Sequence, residues 1–98
     1  MIKPTPKGRP GIPETHLQRL IDKAKQDLAQ RFMVEVRQVA LVKVEAVSWA
    51  DTSLGVPESG KVYAQVITPG FKIILSVQGK KYKYHTDYEQ VIFAGPAP

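Results

Sequence analysis

A chain of 98 residues allows one domain and one core, and at this size folding hides only somewhat more than about 60% of the unfolded surface. Its apolar share of 43% is ordinary, no apolar run approaches the roughly 20 residues of a membrane-spanning helix, and the lack of cysteine excludes disulfides and thiolate metal sites. Net charge is +5, with seven Lys or Arg against three acidic residues in 1–32 and seven against six in 33–98. A basic front admits phosphate neutralisation, but its spread through a tail and one helix is equally that of a solvated surface.

Residues 1–13, MIKPTPKGRPGIP, combine four prolines and two glycines with few apolar residues, which predicts a flexible or extended basic arm. They lack the apolar stretch of a secretory signal, and the chain is expected in the cytoplasm. From Glu14 the apolar residues Leu17, Leu20, Ile21, Ala24, Leu28 and Phe32 recur at steps of three and four, the pattern of an amphipathic helix. Pro13 suits a first helical turn, Thr15 with Gln18 has capping-box spacing, and Asp22/Gln26 and Lys23/Asp27 are spaced as surface pairs. No glycine stops the helix after Phe32. Valines at 39, 42, 44 and 47 predict a strand from about Val39 to Trp49, covered on both faces early and on one face later.

The stretch DTSLGVPESG, residues 51–60, reads as a loop. Lys61 to Thr68 is predicted as a short strand, Pro69-Gly70 as a type II turn, and Phe71 as the start of the next strand. A two-residue hairpin connection at Gly79-Lys80 sets Val77 opposite Tyr82 and Leu75 opposite Tyr84, with the lysines on the other face. Val91 to Phe93 adds a short edge segment, and residues 95–98 form a tail. The expected fold is therefore α+β: one N-terminal amphipathic helix packed on a curved antiparallel sheet of three to four strands, with residues 14–94 as the single domain.

Ser53, His85 and Asp87 are the residue types of a nucleophilic triad, yet there is no GxSxG elbow, and local side-chain to backbone bonds are the plainer reading. His16 and His85 lack metal-ligand spacing and read as surface residues. Lys80, Lys81 and Lys83 alternate with Tyr82 and Tyr84, so on a strand the rings face the core and the ammonium groups face solvent. No enzyme activity, cofactor or metal is expected. Leu54, Val56 and Pro57 are apolar residues in a polar loop, which serves either as a displayed contact or as a plug over the sheet, and the exposure of Leu54 separates the two.

The runs Val44-Glu-Ala-Val-Ser-Trp49, SLGxPxxG from Ser53 to Gly60, YAQVITPGF from Tyr63 to Phe71 and YKYHTD from Tyr82 to Asp87 resemble a bacterial module of unassigned function, often found in exported proteins. In shape the chain more remotely resembles PepSY-like and cystatin-like inhibitory or ligand-binding domains. The resemblance spans about residues 17–94 and implies a helix on a curved sheet without naming a chemistry. Val56 stands where the module usually has cysteine, and a second cysteine near Ala94 is also missing, a joint loss that suits a reducing compartment. The expected function is a noncatalytic binding or inhibitor-like module that presents loop 51–60 to a protein or peptide, or offers a sheet edge for strand addition. The expected contacts are Asp51, Ser53, Leu54, Pro57, Thr68, Pro69, Gly70, His85 and Asp87. The alternative is nucleic-acid binding by the basic arm and helix.

Overall fold

The computed structural model describes residues 14–98, and the basic arm of residues 1–13 lies outside the described residues. Helix α1 spans Glu14–Phe32 and a 3-10 turn covers Val36–Gln38. Four strands follow: β1 (Ala40–Trp49), β2 (Thr68–Val77), β3 (Lys80–Thr86) and β4 (Val91–Pro96). They form one open antiparallel sheet in the order β1-β2-β3-β4, so the expected α+β architecture is the observed one.

The core is the meeting of two periodic stripes. Leu20, Ile21, Ala24, Leu28 and Ala29 of α1 are buried against Phe71, Ile73, Leu75 and Val77 of β2 and Tyr84 of β3. Burial of a large apolar side chain is worth about 1.5–3 kcal/mol, so this contact dominates the stability of so small a domain. The helix packs chiefly over β2 and β4. The beginning of β1 is therefore open: Leu41 and Val42 are exposed, against the expectation of cover on both faces. A bulge between Leu41 and Lys43 breaks the β1–β2 ladder there.

One polar clasp ties the layers. The Tyr84 hydroxyl donates to Asp27 Oδ2 at 2.6 Å, Arg31 Nε donates to the same oxygen at 2.6 Å, and the Arg31 guanidinium lies 4.0 Å from the Phe93 ring centroid. Burial, then the bond to Asp27, pushes the Tyr84 phenol well above its usual range and keeps it a donor. The surface pairs realised on α1 are Gln18–Asp22 and Asp27–Arg31 rather than those expected, because each acid is taken by a different neighbour one turn away. Thr15 lies inside the helix, so it is not the N-cap.

Three further expectations are corrected. Pro69-Gly70 is not a turn: both residues belong to β2, opposite Ser48 and Val47. β3 ends opposite Phe71, so Pro69 sits where β2 has lost its neighbour on that side, and a strand tolerates proline at such an edge. Lys61–Ile67 forms no strand, and the chain reverses instead through the whole of 50–67. The tight hairpin turn is Gln78-Gly79, with φ of 53° and 79°, the type I′ signature, and it moves the register by two residues to Leu75 opposite Tyr82 and Ile73 opposite Tyr84. A two-residue shift preserves the facing, so the tyrosines still point to the helix side. The last strand also runs through Gly95 and Pro96, which were expected in a tail.

The helix stops without glycine. Met33 takes φ 54°, its N–H donates to Gln30 O at 3.2 Å, and Val34 N–H donates to Ala29 O at 3.0 Å, the two bonds of a Schellman motif. Met33 is 92% exposed and contributes no packing, so its left-handed backbone is an uncompensated strain. Met33→Gly is expected to raise stability by about 1 kcal/mol, read as a higher urea midpoint at unchanged slope, whereas Met33→Ala is expected to give no gain.

Candidate functional site

The residues singled out by sequence gather at one end of the sheet, around Trp49. This side chain leaves the last position of β1, and its indole N–H donates to the Thr86 carbonyl of β3 at 2.8 Å. Beside it the β3 backbone closes directly on Gly70 of β2: a Cβ built there would lie 1.7 Å from Thr86 O and 2.8 Å from Asp87 Cα. The indole then stacks on the His85 ring with centroids 4.3 Å apart.

The loop closes over this stack. Leu54 and Gly55 adopt φ of 57° and 77°, and His85 Nδ1 donates to the Leu54 carbonyl at 2.7 Å, which assigns the proton to that nitrogen. A Cβ at Gly55 would stand 3.3 Å from both His85 Nδ1 and Trp49 Cζ3, so the backbone rests directly on the two rings. Upstream, Asp51 Oδ1 accepts the Ser53 N–H at 2.9 Å and the Ser53 hydroxyl at 2.6 Å, and these bonds hold the Asp51 carboxyl below its ordinary range. The returning leg is tied by Thr52 N–H to Ala64 O at 3.1 Å and by Ala64 N–H to Thr52 Oγ1 at 2.9 Å. Glu58 N–H donates to the Tyr63 hydroxyl at 3.0 Å.

Leu54 is fully buried and Ser53 nearly so. Of the two readings, displayed contact or plug, the burial of Leu54 selects the plug, seated on the face of the sheet that α1 does not cover, so Leu54 is not the exposed contact expected of it. Pro57 stays exposed near the tip. The second group, Thr68, Pro69 and Asp87, borders a shallow depression with Tyr88 and Glu89. A neighbouring depression of about 290 Å³ is lined by Ala46, Ser48, Pro69, Phe71 and Tyr88.

The three triad types are employed separately. The Ser53 hydroxyl is given to Asp51, His85 Nδ1 to Leu54, and the Asp87 carboxylate accepts the backbone N–H groups of Glu89 at 2.7 Å and Gln90 at 2.5 Å. The two histidines are half-buried and bonded rather than free on the surface: His16 Nε2 pairs with the Tyr88 carbonyl, which ties the start of α1 to the β3–β4 turn. Among the described residues no group of three or more His, Cys, Asp or Glu has the arrangement of a metal site. The lone tryptophan beside a loop suggests loop packing from the sequence, but not the hub that Trp49 forms with His85 and Gly55. The leg 61–67, expected as a strand, carries strand-forming residues without a ladder.

Two measurements test this construction. Gly70→Ala is expected to destabilise the fold by about 3 kcal/mol or more, because the atom met is backbone and cannot turn aside. Gly60→Ala, where φ is 83° and a Cβ would meet nothing, isolates the backbone cost at about 1 kcal/mol. A similar loss at both positions would contradict the close approach of the Thr86 backbone to Gly70. The second concerns His85, whose pKa is pulled below its ordinary 6.5 by burial first, with the Lys83 and Lys72 charges adding to this and the Leu54 bond opposing it. The unfolded chain then binds more protons as pH falls through about 6.5, so stability present above that pH declines toward the folded-state pKa and levels off below it. Urea titrations in that window are expected to show this slope in the wild type and its loss in His85→Gln.

No curated protein and no solved structure matches this chain. A family model described as a domain of unknown function, DUF8738, matches residues 21–94, from within α1 into β4. That match takes in most of the core and the whole Trp49 end of the sheet, and the chain belongs to this family.

Proposed function

We propose that this chain is a noncatalytic binding module that takes up an extended segment of a protein or peptide partner by strand addition along residues 61–67. The observation that carries the reading is the exposure of the apolar residues in this leg: Val62 is 96%, Val66 56% and Ile67 67% exposed. The leg has the composition of a strand, rich in β-branched residues and with a tyrosine, and yet its backbone makes only scattered bonds, to Thr52 and within its own turn. A partner strand would supply the missing ladder, with backbone bonds for affinity and alternate side chains for selectivity.

Loop 51–60 supports the leg in this reading rather than presenting its own apolar residue. Buried Leu54 and the Asp51–Ser53 bonds anchor the loop, and the Thr52–Ala64 bonds carry that anchorage to the leg. The separate engagement of Ser53, His85 and Asp87 favours a noncatalytic role. The order of one helix on an antiparallel sheet, which PepSY-like and cystatin-like domains share, is in keeping with it.

Selection of a displayed library of short peptides on the wild-type chain is expected to enrich extended sequences in which apolar residues alternate with polar ones. Binding of those peptides should fall about tenfold or more in the Val62→Lys/Val66→Lys variant, since charge on an open strand blocks addition and neither residue packs in the core. Amide protons of 61–67 should become protected from exchange in the complex. Failure to enrich any sequence, or equal binding to the variant, would remove the proposal.

A further inference from the structure

We infer that the sheet face opposite α1 is a second binding surface, which takes an acidic extended segment of a partner protein. Because Phe71, Ile73, Leu75 and Tyr84 face the helix, the alternate residues face away, and the register places them in rows. Lys43 of β1, Ile74 of β2 and Lys83 of β3 lie side by side, with Glu45, Lys72 and His85 in the next row and Ser76 beside Lys81 at the other end. The four strands contain five lysines and a single acidic residue, Glu45, and all five lysines but Lys80 fall on this face. Glu45 is shared by Lys43 at 3.2 Å and Lys72 at 3.9 Å. Lys81 and Lys83 have no acidic partner among the described residues. The downward pull of Lys83 and Lys72 on the His85 pKa reports the same positive field from inside the sheet.

The choice of partner follows from what stands between the charges. Single-stranded nucleic acid uses open aromatic faces on which bases stack. Here Tyr82 and Tyr84 belong to the core side, and the Trp49–His85 stack is capped by Leu54 and Gly55. Half-buried Ile74 sits instead between Lys43 and Lys83, and Ile92 lies next to His85. An apolar floor flanked by ammonium groups fits a segment that carries both carboxylates and apolar side chains. Residues two apart on an extended peptide are about 6.8 Å apart, the same repeat that separates Lys81 from Lys83 along β3, so alternate acids meet successive lysines.

The test titrates a labelled peptide of alternating Glu and Val against the full chain by fluorescence anisotropy over a salt series. Saturable binding that weakens with salt is expected, falling about tenfold or more in Lys81→Glu/Lys83→Glu and by less in Lys81→Gln/Lys83→Gln. Circular dichroism confirms the fold of each variant, and the Gln pair stands in if the reversal unfolds. Val62→Lys/Val66→Lys should retain this binding, which separates the face from the leg 61–67. No saturable binding, no response to Lys81 and Lys83, or a loss confined to Lys3→Gln/Lys7→Gln/Arg9→Gln would overturn the inference. Tighter binding of a thymidine oligonucleotide than of the peptide would overturn the partner class.

Discussion

The rest of the structure depends on the apolar face of β2. Phe71, Ile73, Leu75 and Val77 form one unbroken strip along a strand with neighbours on both sides for most of its length, and α1 lies across it. In a domain this small the helix and the sheet are each unable to hide their apolar side alone, so neither is stable without the other. The clasp of Tyr84, Asp27 and Arg31 adds direction to this contact. A buried phenol must find an acceptor, and Asp27 of α1 supplies it over β3.

At the far end of the sheet a different constraint operates. β3 stops opposite Phe71 while β1 and β2 continue, which leaves a step where backbone groups lack a ladder. Trp49 reaches into the step to the Thr86 carbonyl, and its ring then offers a platform on which His85 and the Leu54-Gly55 backbone rest. The long loop is thus held by a few specific contacts rather than by a strand pairing. The cost of that arrangement is visible in the leg that follows, where Val62, Val66 and Ile67 remain in solvent.

The two faces of the sheet divide their work by alternation alone. One parity supplies the core, and the other carries Lys43, Lys72, Lys81 and Lys83 with one acid among them. This segregation gives a domain of modest net charge a strongly polarised sheet. It also adds to burial, the larger cause, in depressing proton binding at His85, which lies between the lysines and the loop.

Periodicity was enough to determine a good deal. The steps of Leu17 to Phe32 marked the helix and its buried face, and the alternation of Phe71 to Val77 with Tyr82 and Tyr84 marked the core side of the sheet, because repeats of 3.6 and 2 survive small errors of register. Pairing chemistry in the loop was also legible, since the Asp51 carboxylate accepts the backbone N–H of Ser53 two residues on. Other features were not. Pro69-Gly70 has the local preferences of a turn, and only the ending of β3 at Thr86 made room for it inside a strand. Lys61 to Ile67 has the composition of a strand, and only the absence of a neighbouring ladder left it bare. Leu54 in its polar loop could be read as displayed or as a plug, and the choice is set by Trp49 and His85, residues outside the loop. Local propensity reports what a segment can do; which partner lies alongside it is decided by contacts that no short window of sequence contains.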